Sequence, residues 1–546
     1  MAKKRVLVLI GGEWHAFERC AAILKRFLEA ADRYTAEVTT NRDALKRNAI
    51  RRFDAVLAYT QGGKLTREQE AGLLEFVKRG GGFVGLHCAT VSWLHSRGYR
   101  DMIGATFKDH GPVFEIPVTV APGRCWMTDR IQDFRITDEL YLLDGVDARS
   151  VDVLATAQWK HKTCPVMYTK SYGDGRVFYI ALGHDERAFR HAAFQKLVVR
   201  GLDWTLGRAP RRPLKAGCIG YGPSFNIARL HLESMKAAGF EIVAACDILA
   251  DRRKAAAQEW PGIATYASAA QMLKKSDVEV IAVATEHDSH ARLVLQCLNA
   301  GRHVITEKPM CITVKEADAM IAAAKKNDRM LSVFHNRRWD GDYMAIKDVI
   351  VRGLLGDVFQ IELCGGGYHH PGYWWRSEKR IAGGSFYDWG AHFVDWVLGL
   401  VPAKITEISG HFVEKAAWHD VTNEDHCQAV VRFANGCCAI IELSHLAAIP
   451  KSRWRILGAK GALLDLGEDQ QKFRVVTYQD GSRRDCTIPY LASDWHAYYR
   501  NVADHLFLGE PLAVTPESGR RVIGVIETAE KSSRAGKTLP PPKGCA

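Results

Sequence analysis

No run of this 546-residue chain reaches the ~20 consecutive apolar residues that a membrane-spanning helix needs. A cleaved leader is equally hard to read: Lys3, Lys4 and Arg5 precede Val6 to Ile10, but the apolar run is too short, and Gly11-Gly12-Glu13 ends it as a strand-to-loop junction. The 14 cysteines form no Cys-x-x-Cys pair and no Cys/His zinc spacing. A chain this long does not need disulfide staples, so they read as free thiols and the expected location is cytoplasmic. Repeats and long single-sign charge runs are also missing. Lys plus Arg exceed Asp plus Glu by 74 to 62, but the basic residues are scattered and form no aromatic-interleaved stripe. That disfavours nucleic acid as a partner. What remains is ordinary globular material, 47% hydrophobic and 25% charged.

A chain of 546 residues exceeds what one core usually supports, so more than one domain is expected. From Arg5 to about Gly207, short β-branched runs (Val6 to Ile10, Ala55 to Tyr59, Gly82 to Leu86) alternate with helical periodicity (Phe17 to Ala31, Thr66 to Arg79). That pattern predicts one α/β domain over 1–208. The segment 209–213 contains Pro210 and Pro213 on either side of Arg211-Arg212 and reads as a linker. A second doubly wound sheet is expected over 214–335, from strands at Ala216 to Ile219, Glu241 to Cys246 and Val280 to Ala284 and a helix at Ala228 to Ala238. Over 336–546 the alternating runs Val358 to Cys364, Gln428 to Phe433 and Cys438 to Leu443, with Asn-Gly or Gly-rich turns, predict a large, mostly antiparallel sheet.

Gly220-Tyr221-Gly222 follows a strand and opens a helix, the context in which a glycine pair permits a tight turn and close approach of a pyrophosphate. Phe225 stands where a third glycine is usual, with Ala228 able to supply the close packing. Asp247 ends the next strand, where a carboxylate would bind the adenosine ribose of NAD. It could equally be a helix cap, and Arg252 and Arg253 keep NADP open.

These residues, with Ala284-Thr285, His290, Ala300 to Val304, Glu307-Lys308-Pro309, Asn336 to Asp340 and Gly383 to His392, resemble the glucose-fructose oxidoreductase, inositol dehydrogenase and rhizopine-catabolism (Gfo/Idh/MocA) family. The likeness runs from about Leu214 to the C-terminus. It implies Lys308, Asp388 and His392 as the catalytic group: Lys308 a polarising, proton-relaying ammonium, His392 the general acid/base and Asp388 the substrate anchor. Their four-residue spacing predicts Asp388 and His392 on one helix face. The resemblance also places Thr285, His290, Glu307, Pro309 and Arg338 with Gly220, Gly222, Asp247 and Lys308 around the cofactor. Tyr368-His369-His370, Trp374-Trp375-Arg376 and His445 suit a carbohydrate pocket, with Tyr368, Trp375, Arg376 and His445 as the contacts. Trp374 and Trp375 could instead belong to a core or subunit interface.

Residues 5 to 207 resemble the trehalose-utilisation ThuA family, whose fold is like that of class I glutamine amidotransferases. The carrying residues are Gly11 to His15, Gly81 to Ala89, Phe107 to His110, Asp138 to Tyr141 and Gly175 to Asp185. An amidotransferase needs a thiolate at its strand-to-helix elbow, whereas here His87 takes that place with Cys88 after it. His15, His87, His110, Glu139, His184 and Asp185 are candidates for a polar pocket at the strand ends, with acid/base, divalent-metal and structural roles all open.

The two resemblances imply an NAD(P)-dependent oxidoreductase acting on a secondary hydroxyl of a sugar, glycoside or polyol. C3 oxidation to a keto sugar is one form, and the ThuA-like domain would process or bind the keto product. Two other readings remain: an NAD-dependent glycosidase or lyase with transient oxidation and no net redox change, and a sugar-sensing protein without catalysis. A homo-oligomer through the C-terminal sheet is expected from the family.

Overall fold

The computed structural model describes residues 3–30, 32–121, 123, 125–147, 149–222 and 226–545. Ala31 and Phe225, named above, lie outside the described residues. Two compact units result, Met1–Arg211 with Leu506–Pro511, and Arg212–His505 with Leu512–Ala546.

In the first unit, Lys4–Gly11, Tyr34–Thr39, Ala55–Thr60, Gly82–Leu86 and Gly175–Ile180 form a parallel sheet in the order second, first, third, fourth, fifth. Ala55–Thr60 and Gly82–Leu86 are buried throughout, which is why they read as unbroken apolar runs rather than alternations. The helix Phe17–Ala30 buries Phe17, Cys20, Ala21, Leu24 and Leu28, a single stripe at helical spacing. Thr66 starts the helix Arg67–Lys78 through a capping box with Gln69. Four further strands, Lys162–Tyr172, Asp152–Trp159, Thr106–Val120 and Phe134–Asp144, extend the sheet antiparallel from Gly175–Ile180. This unit is a flavodoxin-like, doubly wound α/β fold with an antiparallel extension.

The second unit begins with six parallel strands in the order Ala264–Tyr266, Glu241–Cys246, Lys215–Ile219, Val280–Val283, His303–Thr306, Leu331–Val333. This is the Rossmann arrangement, with its strand order reversing at Lys215–Ile219. An eight-stranded sheet follows. It runs Ile405–Glu414, Glu424–Phe433, Cys438–Ser444, Val358–Gly366, Trp454–Gly458, Gly461–Asp465, Lys472–Gln479, Ser482–Pro489. Every neighbouring pair is antiparallel except Val358–Gly366 beside Cys438–Ser444. Gly436 turns the hairpin between Glu424–Phe433 and Cys438–Ser444 with φ +84°, a conformation that favours glycine. The helix Trp389–Leu400 is buried along most of its length, Trp396 meeting Trp454 of the sheet at 5.4 Å between ring centroids. It thereby carries His392 into the interior.

Candidate active site and a second polar cluster

Gly220 stands at φ +94°, and a Cβ there would lie 2.2 Å from the Ala284 carbonyl oxygen. Only glycine fits the turn. Among the described residues, an added Cβ on exposed Gly222 would meet nothing within 4 Å, which leaves room for an approaching phosphate. The residues therefore fit a dinucleotide.

Asp247 is held differently from a free ribose ligand. Its Oδ2 accepts the Tyr221 N–H at 2.7 Å and its Oδ1 the Leu249 N–H at 2.8 Å, so the carboxylate anchors the glycine turn itself. Arg253 is spent on the carbonyls of Asp247 and Ile248 at 2.8 and 2.9 Å. Arg252 lines a cavity of about 120 Å³ with Tyr221, Gly222, Asn226, Arg229 and Glu259. An amide at position 247 would turn a donor toward one of the two N–H groups. Asp247→Asn is accordingly expected to raise the KM of NAD and NADP alike by about tenfold, the size of one lost charge-assisted hydrogen bond. A pure change of preference between the two coenzymes in steady-state kinetics would contradict that role.

Thr285 Oγ1 lies 2.6 Å from Ser289 Oγ. The buried His290 ring sits between the carbonyls of Pro309 and Thr285, at 2.8 and 3.0 Å, and so straps the turn carrying Lys308 to the end of Val280–Val283. Glu307 accepts the Lys308 N–H at 2.9 Å through Oε2 and meets His231 Nε2 at 3.1 Å through Oε1. His231 Nδ1 in turn is 2.6 Å from the Tyr499 hydroxyl. Burial works against the charge on Glu307, but His231 and Lys308 together hold its carboxyl below the ordinary value.

The Lys308 ammonium is paired with Asp388 Oδ1. Arg376 Nη1 lies 3.7 Å from the other carboxylate oxygen. Desolvation opposes the charge of Asp388, yet Lys308 and Arg376 keep it ionised well below the usual carboxylate range. His392 is 6% exposed, its Nδ1 has no hydrogen-bond partner among the described residues, and burial followed by the Lys308 charge pushes its pKa well below the ordinary value. A neutral imidazole thus stands near an ammonium, the arrangement that proton abstraction and alkoxide stabilisation require.

Asp388 is on the wall of a cavity of about 300 Å³ with Trp374, Arg376, His369, His445, Ser385, Asn423 and Arg453. Of the expected contacts, Arg376 and His445 line it. Tyr368 does not: it is 61% exposed and leans on Trp418. Trp375 turns away to meet the His287 ring at 4.7 Å, leaving Trp374 as the indole on the wall. Arg338 forks the Asp395 carboxylate with its guanidinium at 2.8 and 2.6 Å. The helix starts at Trp389, with Asp388 as the residue before it and no side-chain cap, so the expected shared helix face is not formed. Ser385 lies inside the Gly383 to His392 motif, whereas Asn423 and Arg453 carry no sequence signal.

In the first unit His87 follows Gly82–Leu86 at φ +41°, a tight elbow occupied by a non-glycine residue. Cys88 beside it is fully buried, which pushes its thiol well above the ordinary value and removes it as a nucleophile. Glu139 gathers the histidines: His110 Nδ1 is 2.9 Å from Oε1, His184 Nδ1 3.3 Å and His87 Nε2 3.6 Å from Oε2. His15 completes the group, its ring centroid 5.1 Å from that of His87 and 5.0 Å from that of His184. Burial and the two neighbouring imidazoles push the pKa of His15 down to about 3, while Glu139 raises that of His184. Asp185 is not part of the cluster; it caps the helix Glu186–Arg190 and pairs with Arg187. Asp138, read from the sequence only as part of the Asp138 to Tyr141 motif and not as a site residue, accepts the N–H groups of Gly183 and His184 at 2.7 and 2.9 Å and fixes the turn presenting His184.

Residues 5–205 match the ThuA family, described as trehalose utilisation. Residues 214–335 match the GFO_IDH_MocA oxidoreductase family with its NAD-binding Rossmann fold, and 343–464 match the GFO/IDH/MocA C-terminal domain. The chain is a ThuA domain followed by a GFO/IDH/MocA oxidoreductase, an enzyme using NAD or NADP. Among curated relatives, it is 25% identical to the scyllo-inositol 2-dehydrogenase (NADP(+)) IolW of Bacillus subtilis, over 61% of this chain and 97% of that protein. It is 24% identical to the myo-inositol 2-dehydrogenase of Thermotoga maritima, over 58% of this chain and 96% of that protein. An NAD-binding protein from Listeria innocua is 28% identical, with a TM-score of 0.55, over 61% of this chain and 98% of that one. No helix among the described residues is long and apolar enough to cross a membrane.

Proposed function

We propose that the second unit oxidises a secondary hydroxyl of a sugar, glycoside or polyol with NAD, C3 of a glycoside being one form, and that the first unit processes or binds the keto product. The observation carrying the oxidation is the pairing of Lys308 with Asp388, whose carboxylate lines the larger cavity, while burial and the Lys308 charge keep His392 neutral. The inositol dehydrogenases among the relatives support a ring hydroxyl as the reacting group. The bound coenzyme supplies hydride acceptance. Lys308 stabilises the developing alkoxide, His392 takes the hydroxyl proton, and Asp388 with Arg376 orients the ammonium and the substrate. Arg253 is committed to the main chain, which supports NAD over NADP; Arg252, beside the smaller cavity, is the cation that would admit a 2′-phosphate.

The working domains are 1–208, 214–335 and 336–546, joined by 209–213. Exposed Phe359, Leu464 and Tyr478 on strands of the eight-stranded sheet support association of two or more copies through that sheet. The 14 free cysteines suit a reducing, cytoplasmic setting.

The depressed pKa of His392 sets the pH dependence. The base is the neutral form, present at every pH above its pKa and lost as pH falls through it. Because burial and Lys308 lower that value, the acid limb of kcat/KM is expected below pH 6.5, the ordinary histidine value. An acid limb at or above that pH would remove His392 from the role of base.

The whole reading is tested by screening sugars, inositols and glycosides for coenzyme reduction together with product analysis. Net NADH with a keto product supports it. Bond cleavage without NADH would make the enzyme a redox-neutral glycosidase, and tight binding with neither would make it a sensor.

A further inference from the structure

We infer that His15, His87, His184 and Glu139 bind a divalent transition-metal ion. One donor atom from each of the three imidazoles lies within 4.8 Å of the others. Both ring nitrogens of His15 and Nε2 of His87 are shielded from solvent and have no hydrogen-bond partner among the described residues, and the shielded Nδ1 of His184 has only the Glu139 carboxylate beside it. Buried polar atoms left unpaired are rare, and here they converge.

Glu139 Oε2 sits 3.3 Å from His184 Nδ1 and 3.6 Å from His87 Nε2. These are the spacings of two ligands on a common ion: bonds of about 2.1 Å in a tetrahedral shell set neighbouring donors about 3.4 Å apart. The surroundings are arranged to match. His87 Nδ1 faces the Ala181 carbonyl at 2.7 Å and must donate to it, which leaves a lone pair on Nε2. His110 engages the second oxygen of Glu139 at 2.9 Å, and Asp138 fixes the His184 turn. Imidazole nitrogens with one carboxylate and no thiolate favour a late transition metal such as Zn²⁺ or Co²⁺ over Ca²⁺ or Mg²⁺. His184 and His110 are 25% and 49% exposed, which gives the ion a way in. The inference is independent of whether the first unit acts on a keto sugar.

The test is titration of the chelator-stripped full chain with Zn²⁺ or Co²⁺ alone. One equivalent is expected to bind, with ligand-field bands for Co²⁺. Glu139→Gln and His15→Ala should weaken binding by at least about a hundredfold, the upper end of what loss of an outer-shell partner costs, with far-UV circular dichroism reporting the fold. X-ray absorption on the Zn²⁺-loaded wild type, which needs no variant, should show imidazole and oxygen ligands without sulfur. Absence of stoichiometric binding, a sulfur or all-oxygen shell, or unchanged affinity in folded variants would overturn the proposal.

Discussion

Lys308→Ala is expected to lower kcat/KM for coenzyme reduction by about a thousandfold, through kcat more than KM. The ammonium meets no formal charge in the ground-state alcohol, but it meets developing alkoxide in the transition state, and an interaction made only there is lost from kcat. Removing one preorganised donor from such a site costs about 10²–10³ in kcat, and a loss of proton relay adds to it. The variant should fold, because Asp388 retains Arg376 as a partner 3.7 Å away. Lys308→Arg keeps the charge but replaces a compact ammonium by a planar fork, so it should recover little activity. Steady-state kinetics with the best substrate decide the point. A variant with kcat within a few fold of wild type would mean that Lys308 is structural.

His87→Ala and His184→Ala are expected to stop consumption of the keto product, by about a hundredfold or more, while coenzyme reduction continues. A ketone at C3 makes the C2 hydrogen acidic, and its removal lets the group on C1 leave. Each substitution takes a nitrogen from the cluster around Glu139, which disables a base directly or removes a ligand from an ion that polarises the carbonyl. Time courses followed by mass spectrometry should show the keto sugar accumulating to the level of NADH formed. If the intermediate fails to appear in either variant, the first unit does not act on this product.

The elements that sequence shows best are the ones buried on both faces. Val6 to Ile10 and Gly82 to Leu86 read as strands because nothing on them has to face water. The motif order also brought together residues that lie side by side, since Lys308 and Asp388, 80 positions apart, form an ion pair. Spacing failed where the backbone leaves regular geometry. Asp388 and His392 are four apart, but Asp388 has ψ −94° and its carboxylate serves Lys308, so the helix begins one residue later. Trp374 and Trp375 lie at the start of a single 3₁₀ turn, where neighbouring side chains point in unrelated directions and no periodicity tells which one faces the cavity. Arg338 looks like any cationic cofactor ligand until its partner is seen: Asp395, three residues past His392 on the same helix, claims the guanidinium. Asp247 was legible as a carboxylate at a strand end, but its hold on two backbone N–H groups was not, because that depends on how the glycine turn folds back.

The central claim is that hydride leaves a ring carbinol carbon at Lys308 and stays on the coenzyme. It is tested most directly with a substrate deuterated at that carbon, mixed with NAD and the full chain, and followed by mass spectrometry of both products. Deuterium should appear in NADH in step with the keto sugar in the wild type, and not in Lys308→Ala. Label that returns to the sugar with cleavage of its glycosidic bond, or that never leaves it, would contradict the account.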